Sequence, residues 1–130
     1  MYQLIAYIKF LFSSTNQHGV HSPFVYKFVT KCLYDKTKYE AYQQLYDYRN
    51  GLKKSTTVLK INDLGEGSKV LDKNKRSVKK MLKTSSSSKK EAKLLWRIAT
   101  YFKTAQVLEL GTSLGMGTYA LSLAETTSHL

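Results

Sequence analysis

The chain has 130 residues, a hydrophobic content of 42% and a formal net charge of +12. That is long enough for one domain with a real core, and too apolar for a disordered polyelectrolyte. The single cysteine, Cys32, excludes an internal disulfide and offers no metal-site spacing, so a reducing, cytoplasmic setting is expected.

In chain order, the most apolar run is Leu4 to Phe12, which contains Lys9. It falls short of the roughly 20 apolar residues that span a bilayer. No basic segment precedes it and no small-residue cleavage site follows, so it does not read as a signal peptide. Leu4, Ile8, Leu11 and Phe12 share one helical face. A helix over about 2–12 is expected, facing the core or a partner. A homodimer through N-terminal helices is one use of such a face, and interfacial membrane contact is another.

Next comes His18-Gly19-Val20-His21-Ser22-Pro23-Phe24. Ser22 suits an N-cap and Pro23 the first helical position, so a helix over 23–34 is expected. His18 and His21 lie in a loop with no third ligand in reach, and no metal site is assigned. A helix over 38–54 carries an aromatic stripe of Tyr39, Tyr42 and Tyr46 with Leu45, and Asn50-Gly51 marks its end or an interruption. The stripe reads as a packing face, with base stacking the alternative.

Thr57 to Ile61 is strand-like and leads into Asn62-Asp63-Leu64-Gly65-Glu66-Gly67-Ser68, read as a turn. Short helical patterning over 76–83 precedes a serine-rich hinge. Ser88 and Glu91 then form a capping box. The helix it opens, about 89–103, sets Leu94, Leu95, Ile98, Ala99 and Phe102 on one face. The helices up to residue 103 read as an N-terminal helical cap region, with residues 104–130 beginning a second, ligand-binding region.

That second region is centred on Val107-Leu108-Glu109-Leu110-Gly111-Thr112-Ser113-Leu114-Gly115-Met116-Gly117-Thr118. An apolar strand, a glycine turn and a helix start bring free backbone N–H groups to one place. A phosphate-binding P-loop needs Gly-Lys-Ser/Thr, and no lysine precedes Thr118. A dinucleotide turn needs Gly-x-Gly-x-x-Gly, and the spacing here differs. An acidic residue two positions before the first glycine suits a third class, a nucleoside without phosphate that carries a zwitterionic amino acid part.

Glu109 to Gly117 resembles the first motif of class I S-adenosylmethionine-dependent methyltransferases, in its O-methyltransferase-like form. The His18 to Phe24, Asn62 to Ser68 and Leu94 to Gly111 segments resemble the N-terminal region of Bacteroidetes members of that group. The resemblance implies an α/β, Rossmann-like methyltransferase fold, present here as a mostly helical N-terminal fragment ending after the first strand-loop-helix unit. It implies that Gly111, Thr112, Ser113, Gly115 and Gly117 form the loop under the methionine part and ribose of S-adenosylmethionine. Glu109 would hold that loop and the cofactor's amino end. The plainer roles are a strand-end carboxylate capping its turn, for Glu109, and ordinary turn hydroxyls, for Thr112 and Ser113.

The acidic residue for the ribose hydroxyls falls roughly 20 residues past the glycine turn, beyond Leu130. A truncated chain with little activity alone is therefore expected. No catalytic residue can be named, and the methyl acceptor, oxygen among the candidates, stays unidentified. The competing reading is a basic helical module that binds RNA or another acidic partner through Lys53 to Lys93. The lysines are spread along the sequence without an arginine-rich motif, which favours solvated faces over a nucleic-acid surface.

Overall fold

The computed structural model describes residues 2–14, 19, 21–61 and 75–124. They fall into two compact units, residues 1–35 and 36–130.

The first unit contains α1 (Tyr2–Ser13) and α2 (Pro23–Phe28), followed directly by a π-helical turn, Val29–Leu33. α1 buries none of its residues, and its apolar side chains, Phe10 and Phe12 among them, are exposed. α2 starts where the sequence places it: Ser22 is extended, its hydroxyl accepts from the Val25 N–H, and Pro23 occupies the first turn. The expected helix over 23–34 continues, but changes winding at Val29. The wider turn leaves Cys32 fully buried.

The second unit contains α3 (Ala41–Lys54), β1 (Val58–Lys60), β2 (Lys75–Ser77), α4 (Val78–Thr84), α5 (Lys89–Phe102) and α6 (Met116–Ala124). α3 runs through Asn50-Gly51 and closes at Ser55, whose N–H reaches the Gly51 and Leu52 carbonyls. β1 and β2 pair antiparallel, with Val58 opposite Ser77 and Lys60 opposite Lys75. Ser77 ends β2 and also caps α4, accepting from the Lys80 N–H. In α5 the capping box is complete: Ser88 accepts from the Glu91 N–H while the Glu91 carboxylate accepts from the Ser88 N–H.

The core joins α3, α4, α5 and α6 through buried Leu45, Leu82, Ala92, Met116 and Ala120. Small residues on α5 and α6, Ala92 and Ala120, are fully buried and let the backbones approach closely. Two tyrosines of the stripe, Tyr39 and Tyr42, pack inward, whereas Tyr46 is exposed. Tyr39 and Tyr42 lie 4.7 and 5.6 Å from the Trp96 ring, and Arg97 donates to the Tyr42 hydroxyl at 2.9 Å.

The doubly wound, Rossmann-like α/β architecture is not the fold. Among the described residues the chain is mostly helical, and its sheet is a two-stranded antiparallel pair, β1 with β2. The segment expected as the first parallel strand, Val107 to Leu110, is not assigned as a strand. Leu108 and Leu110 are 85% and 87% exposed. A strand needs a neighbour to satisfy its N–H and C=O groups, and no described segment pairs with this one. The expected turn at Asn62 to Ser68 lies outside the described residues.

Candidate functional site

The glycine loop follows directly from the way α5 ends. Lys103 adopts a left-handed conformation, φ 49°, and its N–H returns to the Ala99 carbonyl. The chain then reaches Glu109 and turns through three further positive-φ residues: Gly111 at 86°, Ser113 at 51° and Gly115 at 71°. At Gly111 there is open space where a side chain would stand, so backbone conformation alone favours glycine there. The Gly115 N–H donates to the Thr112 carbonyl at 2.9 Å, closing the turn. One residue later α6 begins.

Glu109 is half-buried against the first turn of α6. Its carboxylate accepts a hydrogen bond from the Thr118 hydroxyl. A Cβ on Gly117 would stand 2.5 Å from Glu109 Oε1 and 3.6 Å from Leu95 Cδ1. A side chain here would have to displace the carboxylate end of Glu109, which lies over the helix backbone. The N-terminal turn of a helix favours negative charge, and Glu109 supplies it from within the chain.

A phosphate brought to the same helix end meets a carboxylate already there, and like charges repel. A group carrying positive charge, such as an ammonium, is attracted. The start of α6 is therefore already occupied by a carboxylate of the chain itself.

Two further contacts fix the loop, and neither is legible in the motif. The Tyr48 hydroxyl, from α3, donates to the Leu114 carbonyl at 2.9 Å. The same oxygen lies 3.2 Å from where a Gly115 Cβ would be. The Tyr48 ring lies 4.7 Å from that of Tyr119 on α6. Tyr48 falls outside the Tyr39, Tyr42 and Tyr46 stripe. A tyrosine off the apolar face, with a hydroxyl that needs a partner, is the signal that could have found it.

Of the predicted site residues, Glu109, Gly115, Gly117 and the neighbouring Thr118 come together at the start of α6. Gly111, Thr112 and Ser113 form the exposed outer part of the loop. A cavity of about 150 Å³ touches the loop region at Met116 and is otherwise lined by Tyr42, Leu45, Tyr46, Lys89, Ala92 and Lys93. Ligand pockets generally run to about 300–1,000 Å³, so the loop is an open wall rather than an enclosed pocket. His21 is exposed, while His18 and His129 lie outside the described residues.

Among the described residues no helix is long and apolar enough to cross a membrane. Comparison with known proteins finds no matching family model, no similar curated protein and no similar solved structure.

Proposed function

We propose that the chain binds S-adenosylmethionine at the 109–118 loop and serves methyl transfer to an acceptor molecule. The observation that carries this reading is the Glu109 carboxylate, seated on the first turn of α6 by Thr118 and given room by Gly117. It makes an anionic wall where a phosphate-binding loop would be open to anions.

In this reading Glu109 receives the ammonium of the methionine part. Gly111, Thr112, Ser113 and Gly115 offer backbone amides and small hydroxyls with little side-chain bulk. The cofactor supplies a methyl group made electrophilic by its sulfonium. The protein contributes proximity and orientation. Cys32, the chain's single cysteine and a buried one, suits a reducing, cytoplasmic compartment.

Isothermal titration of the chain with S-adenosylmethionine, and separately with ATP, tests the reading. Binding of the first and none of the second is expected. Glu109→Gln should weaken S-adenosylmethionine binding by about tenfold or more, the loss of one charge-assisted hydrogen bond. Gly117→Ala should do the same by displacing the carboxylate. No heat at millimolar S-adenosylmethionine, or unchanged affinity in Glu109→Gln, would overturn it.

A further inference from the structure

The lysines that look dispersed in sequence converge in space. Arg49 and Lys53 from α3, Lys79 and Lys83 from α4 and Lys89 from α5 line one groove of about 200 Å³, floored by Leu82. Among the described residues no carboxylate is paired with Lys53, Lys79 or Lys83. Between Lys75 and Lys93 the chain carries eight Lys or Arg residues and one acid, Glu91. That acid is engaged in the capping box, where Oε2 accepts from the Ser88 N–H at 2.6 Å. Arg49 is held in place: Nη1 donates to the Ser87 carbonyl at 2.9 Å and Nη2 approaches the Leu82 carbonyl at 3.5 Å. Its charge is fixed at the groove wall while the lysines keep freedom to follow an anion.

The groove adjoins an aromatic surface. Lys89 also lines the neighbouring cavity with Tyr42, Tyr46 and Lys93. Its Nζ stands 4.7 Å from the centre of the Tyr46 ring, and Lys93 Nζ stands 4.6 Å from that of Tyr42. Both ammonium groups rest on π faces for want of a stronger anion. A phosphate in the groove would draw Lys89, which lines it, off the Tyr46 ring and open that face to a base.

We propose that this groove binds the phosphodiester backbone of single-stranded nucleic acid, with a base stacked at Tyr46. Exposed lysines around a fixed arginine, next to an aromatic face, match alternating phosphates and bases. A lipid headgroup or an acidic peptide would use the cations alone and leave the Tyr46 ring without a stacking partner. The groove itself is lined by no residue of the 109–118 loop, and Tyr46 and Lys89 meet that segment at the buried Met116 of the neighbouring cavity.

The test is fluorescence anisotropy of the whole chain with a labelled single-stranded RNA of about 20 nucleotides. Four phosphate contacts predict an affinity that falls about 50-fold between about 50 and about 200 mM salt. The triple variant Lys53→Ala, Lys79→Ala, Lys83→Ala should lose about tenfold or more at the lower salt, with a salt slope reduced by about 2. A charge-matched control, Lys9→Ala, Lys27→Ala, Lys31→Ala, should stay within about threefold of the parent. Thermal melts by circular dichroism establish that both variants fold, and Tyr46→Ala, which keeps every charge, should weaken RNA binding about fivefold. Equal losses in the two triple variants would overturn the proposal, as would no binding at the lower salt. Displacement of the RNA by polyglutamate or by phosphatidylserine vesicles as readily as by unlabelled RNA would also overturn it.

Discussion

Two neighbouring residues of α3 fasten two different regions. Tyr48 ties the glycine loop through the Leu114 carbonyl, and Arg49 ties the serine hinge and the end of α4 through the Ser87 and Leu82 carbonyls. The loop is written in consecutive residues, Glu109 to Thr118, and its charge is negative. The groove is assembled from three helices, and its charge is positive. The loop shapes itself with glycines and one internal carboxylate. The groove exists only because packing brings α3, α4 and α5 together. A loop of consecutive residues carries its own turn chemistry, whereas a convergent surface depends wholly on the core.

Substitution in the shared core should damage both regions at once. Met116 is 1% exposed, begins α6 and packs with Leu45 and Leu82. Met116→Ala should cost about 3 kcal/mol, measured as a lowered urea midpoint. If only the loop is affected, the two regions do not share a core. Arg49→Ala comes next. It removes a charged donor from two carbonyls, at about 2 kcal/mol, and should loosen the 82–88 segment in hydrogen exchange while leaving loop amides protected. Tyr48→Phe is the mirror test. It deletes one hydroxyl and should cost about 1 kcal/mol, with faster exchange confined to residues 111–118.

The smallest effect sharpens the α5 end of the groove. Ser88→Ala removes the cap of α5, at about 1 kcal/mol or less for an exposed site. Hydrogen bonds from the Ser88 backbone and hydroxyl hold the Glu91 pKa below its ordinary value. A depressed folded-state pKa stabilises above the unfolded pKa and is lost as pH falls through the folded one. The parent should therefore lose stability on acidification through that window, and Ser88→Ala should show a shallower loss. Identical acid limbs in thermal melts would detach Glu91 from the cap.

How much of this was legible follows from how local each feature is. Ser22-Pro23 and the Ser88–Glu91 box name helix starts because a cap spans only a few residues. The glycine loop was legible for the same reason: Gly111, Gly115 and Gly117 are spaced as the backbone turns and the carboxylate require. The parallel sheet was not a property of these residues. Val107 to Leu110 has the apolarity of a buried strand, but pairing depends on neighbours that a motif does not contain. β2 escaped notice because Lys75-Arg76-Ser77 is too short and too polar to show alternation. The π-helical turn at Val29 leaves no mark on apolar spacing. Lys53, Lys79 and Lys89 lie far apart in sequence, so their meeting could be read only after the helices had packed.

Under the proposed function, the carboxylate-bearing loop, and not the basic groove, takes S-adenosylmethionine. Amide chemical-shift mapping of the labelled chain during titration with S-adenosylmethionine tests it most directly. Saturable shifts are expected at residues 109–118 and at Tyr48, with residues lining the groove unmoved. Shifts centred on Arg49, Lys53 and Lys79 to Lys83, or no saturable shifts at the loop, would contradict it.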